Sequence, residues 1–307
     1  MKPINTLRSH ILQPLELFLS RGIVTDELKS VCLTLGPYRN LTTLTAGILA
    51  LHPACQVLNH GGERIFGSGR LDFLTPYSEK IFSRFVRYAA YISGGGKRGD
   101  YGGSVTRSHA FTHDIMKERY TQRYGNRLRK ERIHCLYWKE SLRTANIIRN
   151  NNVDLEKLLN ENPLLRFLMP VRNPLDCARS NIRTNKAGLF PCLVQESPFE
   201  DVLAAVLDEF AWFLSLKKKN PGRFFYFYQH TFDESVLRNL AVFLGIKPDS
   251  RWMRDAMDVY TMRRSYEYDP GVTELYHKLV KDKFGSHPGV RKQLIAFIKE
   301  QERQFSK

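Results

Sequence analysis

The chain is short of cysteine, of carboxylates and of long apolar runs, and each shortage removes a class of protein. Its five cysteines, Cys32, Cys55, Cys135, Cys177 and Cys192, are odd in number and widely scattered, with no Cys-x-x-Cys pair. That pattern argues against a disulfide framework and a zinc site and suits a reducing cytoplasm. No run approaches the ~18 apolar residues that a membrane span needs. The N-terminal MKPINTLRSHILQPLELF has neither the apolar core nor the small-residue cleavage pattern of a signal peptide. Carboxylate and histidine ligand clusters are also missing, so no metal is expected. Aspartate and glutamate number 31 against 47 lysines and arginines, a net charge of +16. Such a surface attracts polyanions. Charge alone does not choose between nucleic acid and a small, highly charged cofactor. Zinc-finger spacing, basic-zipper heptads and an aromatic RNA-recognition signature are all absent, which disfavours nucleic acid.

What is present is enough for a sizeable core: 307 residues, 42% of them hydrophobic, allow one large α/β domain or one domain with a helical annex. The most informative stretch is residues 31–60. Val31 to Leu35 is short, apolar and β-branched at its start, and Gly36-Pro37 breaks it, as expected of a buried strand in an α/β sheet. A helix is predicted from Thr42. Its first turn offers free backbone N–H groups and a positive dipole end; Thr42 and Thr43 add hydroxyls, and Arg39 adds a cation. That order of strand, polar loop and helix makes a site for phosphate or sulfate. A further strand, Cys55 to Leu58, leads to His60.

Along the rest of the chain, residues 5–21 read as an amphipathic helix packed on the outside of the domain. Tyr77 to Ile92 reads as a core helix with Phe82, Phe85, Val86 and Ala89 on one face. Residues 93–108, SGGGKRGDYGGSVTRS, read as a mobile glycine-rich loop, either a lid over an anion or a plain surface loop. A strand at Ile133 to Trp138 puts Lys139 at a strand's carboxyl end, the edge at which open parallel sheets bind ligands. Leu164 to Val171 is the next strand, and Arg172 follows it in the loop before a helix opened by Pro174. Ser180 lies two turns into that helix, so arginine and hydroxyl can hold two oxygens of one phosphate from different directions. Phe199 to Leu216 is a long helix followed by LKKKNPGR, read as a solvated charged turn. Residues 250–307 are predicted all-helical, with Arg263 and Arg264, followed by Tyr266, read either as reaching a bound phosphate or as a surface cluster, and a last helix, Gly289 to Phe305, closing the fold.

These stretches together resemble the sulfotransferase family that uses 3′-phosphoadenosine 5′-phosphosulfate (PAPS). The family's phosphosulfate loop, [KR]-S-G-T-T, is matched by Arg39-Asn40-Leu41-Thr42-Thr43, with Leu51-His52-Pro53 trailing it. The family's 3′-phosphate motif is matched by Arg172-Asn173-Pro174-Leu175-Asp176 through Ser180. Tyr228 takes the place of the tyrosine on a later strand, and Phe243-Leu244-Gly245 ends the helix after it. The Lys139 segment is similar to the lysine element of the tyrosylprotein and bacterial branch. The four patches run in order over residues 31–245. Leu41 stands where the family has glycine and Asn40 where it has serine, and the cytosolic branch's C-terminal RKGxxGxxK motif is missing.

The resemblance implies a P-loop NTPase-like three-layer α/β fold, with a central parallel sheet flanked by helices, in one domain spanning 1–307 with a helical annex from 250. It implies PAPS as co-substrate, a hydroxyl or amine acceptor and no metal. Arg39, Asn40, Leu41, Thr42 and Thr43 would hold the 5′-phosphosulfate, Arg172 and Ser180 the 3′-phosphate, and Tyr228 would join the cofactor site. Sulfuryl transfer is in-line displacement at a loose centre, so cations must meet the moving charge. Arg39 is the forked donor and Lys139 the point charge near the bridging oxygen. His60 is the candidate general base, with Glu63 second. Two other readings stay open. A P-loop kinase shares the strand-loop-helix logic, but GPYRNLTT lacks the GxxxxGK[ST] lysine. A non-catalytic polyanion binder would keep the fold without the reaction.

Overall fold

The computed structural model describes residues 12–96, 102–260 and 266–305. The expectations for residues 5–11, for 97–101 of the glycine-rich segment, and for Arg263 and Arg264 lie outside the described residues. Six strands form one sheet in the order β3-β2-β4-β1-β5-β6: β1 (Ser30–Thr34), β2 (Cys55–Asn59), β3 (Gly103–Ser104), β4 (Cys135–Lys139), β5 (Leu165–Val171) and β6 (Phe224–Tyr228). All neighbours pair in parallel except the edge strand β3, which runs antiparallel to β2.

Side-chain alternation along the strands builds the two faces. Val31 and Leu33 of β1, Leu136 and Trp138 of β4, and Phe167 and Met169 of β5 point into one core. Cys32, Cys135, Tyr137 and Leu168 point into the other. Helices α3 (Gly62–Ile65), α4 (Glu79–Ile92), α6 (Ser141–Asn150), α7 (Leu155–Glu161), α8 (Pro174–Arg183) and α9 (Phe199–Lys219) cover the first face. Helices α2 (Thr42–Ala50), α5 (Asp114–Tyr124), α10 (Glu234–Phe243) and α11 (Ser250–Val259) cover the second. Strands buried on both sides in this way read as apolar runs, which is why β1 and β5 stand out in the sequence.

Beyond α11, the rest of the C-terminal annex packs into the first core. Tyr276, Val280 and Phe284 of α12 (Pro270–Phe284) and Leu294 and Phe297 of α13 (Pro288–Phe305) are buried there, and the Tyr276 hydroxyl donates to the Leu294 carbonyl at 2.8 Å.

Three local expectations are corrected. The segment read as a mobile loop holds β3, pinned through Leu58 and Asn59 of β2, and a 3-10 turn at Val105–Arg107. Lys217, Lys218 and Lys219 extend α9 instead of forming a turn, since basic residues suit the negative end of a helix dipole. The N-terminal helix, α1 (residues 12–19), packs on the outside of the domain through Leu17, but Leu12, Leu15 and Leu19 face solvent.

The sheet order decides where ligands can bind. From β1 the chain moves outward to β2, and later crosses from β4 over β1 to β5. A crevice therefore opens at the carboxyl ends of β4, β1 and β5, the switch point of an open parallel sheet.

Candidate functional site

The carboxyl ends of β4, β1 and β5 meet at that crevice, and the end of β2 lies beside β4. Beyond β1 the chain turns at Gly36, whose φ of +91° lies in the left-handed region that favours glycine. The loop then takes two non-glycine residues through the left-handed region, Arg39 at φ 63° and Leu41 at φ 58°. Leu41 thus adopts the backbone that a glycine would supply, at a cost of ~1–2 kcal/mol. Leucine carries no acceptor, so it cannot cap α2 behind it, and no side-chain cap is made. The first-turn N–H groups of α2, with buried Thr42, are left for an anion.

The two loops predicted to hold different phosphates are bonded to each other. Arg39 Nε donates to Ser180 Oγ at 3.0 Å, which leaves the serine's own proton available to another acceptor. Asn40 Oδ1 accepts from the Arg172 backbone N–H at 2.8 Å, and Arg172 Nη1 reaches the Arg39 carbonyl at 3.4 Å. Helix α8 also clamps the loop: Asn181 Nδ2 donates to the Tyr38 carbonyl at 2.8 Å. Burial, then the like charges of Arg172 and Arg183, pull the Arg39 guanidinium below its ordinary range. Like charges of this kind raise the local attraction for an anion. Arg172 is braced by Asp176, 3.7 Å away, whose other oxygen accepts from Tyr268 Oη at 3.1 Å and the Tyr266 N–H at 3.3 Å. Burial raises the Asp176 carboxyl, and Arg172 and Tyr268 oppose that rise.

A second cluster stands on β2 and β4. Asn59 and Lys139 are register partners on neighbouring strands and so share a face. Lys139 Nζ donates to Asn59 Oδ1 at 3.2 Å and lies 3.1 Å from His60 Nε2. The lysine is buried, and burial pulls it down from 10.5 to about 8, with Glu140 opposing and Arg39 assisting. His60 sits at φ 59°, held there because its carbonyl accepts from Trp138 Nε1 at 2.8 Å and its N–H donates to the Lys139 carbonyl at 3.2 Å. Its ring is 44% exposed, open to an incoming molecule.

Behind His60 lies Glu140, with Oε2 at 3.8 Å from His60 Nδ1. Glu140 is 2% exposed and accepts from the Gly62 N–H at 3.1 Å and the Tyr38 hydroxyl at 3.2 Å. Burial alone would raise its carboxyl; His60, Arg143 and the Gly62 N–H outweigh burial and hold it below the usual range. With a charged Lys139 facing Nε2, the ring proton belongs on Nδ1, toward Glu140.

The structure thus gathers Arg39, Asn40, Leu41, Thr42, Arg172 and Ser180 at one edge, with Lys139 and His60 on the adjoining strands. Thr43 is half-buried in the first turn of α2. Two candidates fall elsewhere. Glu63 pairs with Arg143 at 3.1 Å rather than facing Lys139. Tyr228 ends β6, but strand alternation turns its ring into the first core, against Phe210 and Phe297. Glu140 and Asn59 carry no motif of their own. The only signal for Glu140 was its place beside Lys139 at a strand end.

No family model matches the chain, and no curated protein matches it. Among solved structures the chain is similar to mouse sulfotransferase SULT7A1 complexed with PAP, at 11% identity and a TM-score of 0.43 over 93% of both chains. It is also similar to sulfotransferase STF9 from Mycobacterium avium, at 13% identity and a TM-score of 0.43 over 92% of this chain and 80% of that one. A likeness at this level assigns no role to any residue here.

Proposed function

We propose that the chain is a sulfotransferase that moves a sulfuryl group from PAPS to a hydroxyl or amine of an acceptor. The observation that carries this reading is the bond from Arg39 to Ser180, with Asn40 bonded to Arg172 beside it. It makes one anion site from two strand-loop-helix units, as a donor with separate 5′ and 3′ charged groups requires. In this reading Thr42, Thr43 and the α2 N–H groups hold the 5′-phosphosulfate, and Arg172 with Ser180 holds the 3′-phosphate.

The acceptor oxygen forms a bond to sulfur as the bond from sulfur to the bridging phosphate oxygen breaks. The acceptor's proton passes to His60 Nε2, and 3′-phosphoadenosine 5′-phosphate leaves. Lys139 shifts from His60 to the charge growing on the bridging oxygen. That shift frees the nitrogen that takes the proton, so base and donor are engaged together. Glu140 keeps the other ring proton on Nδ1 and steadies the imidazolium.

A P-loop kinase is the second reading, but residues 36–43 have no lysine to pair the phosphates. Thermal unfolding with 3′-phosphoadenosine 5′-phosphate and with ATP plus magnesium separates the two. Stabilisation by the bisphosphate is expected. Stabilisation by ATP and magnesium alone would replace this reading with the kinase, and none by either would favour a binder of other polyanions.

A further inference from the structure

Helix α1 turns most of its apolar residues outward. Its polar residues face the protein: Gln13 Nε2 donates to the Arg64 carbonyl at 2.7 Å, and Glu16 accepts from the Tyr88 hydroxyl at 2.9 Å while pairing with the Arg64 guanidinium. Leu17 packs against the first core, and the other apolar residues face away. Leu12, Leu15, Phe18 and Leu19, with Val24 beyond the helix, are between 43 and 74% exposed. They are five of the nine large hydrophobic side chains exposed among the described residues, gathered in one short segment. A surface helix ordinarily shows the opposite pattern, and a clustered apolar patch marks an interaction surface.

Charge selects the occupant. Glu16 is the one carboxylate in residues 12–24, and Arg64 takes its charge. The Arg21 guanidinium lies 5.5 Å from the centre of the Phe18 ring. On α4, Arg84 and Arg87 precede Tyr88, the residue that Glu16 contacts, by one turn and by one position. The eleven residues before α1 contain Lys2 and Arg8 and no acid. A second copy of a chain with net charge +16 is repelled from this side, whereas an anionic lipid surface is attracted to it. Leucine and phenylalanine beside arginine are what an interfacial helix needs to enter the headgroup boundary.

We propose that α1 docks the protein on anionic phospholipid, its leucines and Phe18 entering the interface while Arg21, Arg84 and Arg87 meet lipid phosphates. The surface is separate from the anion site and does not depend on the reaction assigned there. Sedimentation with phosphatidylcholine vesicles, with and without phosphatidylserine, tests it. The protein should pellet with the serine lipid, less so at high salt. Leu15→Ser with Phe18→Ser should weaken that binding by ~10-fold or more, since two apolar side chains leave the interface. Val242→Ser, an exposed apolar residue on α10, should leave binding unchanged. Thermal melts should match wild type for both variants, because every altered residue is exposed. Failure to pellet with phosphatidylserine would overturn the proposal, as would pelleting indifferent to the Leu15 and Phe18 changes. A dimer in solution that those changes dissociate would overturn it in favour of a second copy.

Discussion

Replacing Lys139 by methionine should make the protein more stable while removing its proposed reaction. The lysine is 6% exposed, and burial brings it from 10.5 to about 8. A lowered lysine pKa means that the folded state penalises the charge. The penalty is full at pH values below 8, where both states are protonated. It is relieved between 8 and 10.5, where the unfolded chain still binds the proton and the folded one has released it. The difference corresponds to ~3 kcal/mol. Losing the hydrogen bonds to Asn59 and His60, at ~1 kcal/mol each, offsets ~2 kcal/mol. Lys139→Met should therefore gain ~1 kcal/mol at pH 7, read from urea unfolding midpoints and slopes. That gain should shrink as pH rises from 8 toward 10.5, because wild type becomes more stable over the same window. In the proposed reaction, wild-type transfer should fall as pH rises through about 8, as the ammonium is lost. A Lys139→Met variant less stable than wild type at pH 7 would refute the reasoning, since the ammonium would then be paired well enough to stabilise the fold.

Glu140→Gln should lower sulfation of a phenol probe ~10- to 100-fold without changing affinity for 3′-phosphoadenosine 5′-phosphate. Added to His60→Ala it should cost nothing further; an additive loss would mean that Glu140 acts through something other than the histidine. Leu41→Gly should hold or raise the unfolding midpoint, because relief of ~1–2 kcal/mol of left-handed strain exceeds the ~0.5–1 kcal/mol that glycine costs through the unfolded chain. Leu41→Val should lower it, and equal midpoints for the two would show that position 41 carries no such strain.

The parts of the site legible in sequence are those encoded within one strand-loop-helix unit. Gly36-Pro37 marks the end of β1, Thr42 the start of α2, and Pro174 the start of α8, each through a local backbone rule. Parts that depend on strand order were hidden. Asn59 and Lys139 are 80 residues apart and meet because β2 lies beside β4. Glu140 reaches His60 by the same adjacency. Cys55 and Cys135, scattered in sequence, are register partners on those strands. The run FFYFY marks a strand ending at Tyr228, but the face its ring takes depends on the side covered by α9 and α13. The exposed face of α1 was hidden for a related reason. Its pattern gives an apolar stripe, and only the pairing of Glu16 with Arg64 and Tyr88 fixes the stripe outward.

The central claim is that the loops after β1 and β5 form one site for two separated anionic groups. Calorimetric titration with 3′-phosphoadenosine 5′-phosphate and with adenosine 5′-phosphate, on wild type and Arg172→Ala, tests it most directly. Wild type should bind the bisphosphate at least ~10-fold more tightly, and Arg172→Ala should erase most of that preference, as expected for one lost charge-assisted contact. Equal affinity of wild type for the two nucleotides, or a preference that survives Arg172→Ala, would contradict the account.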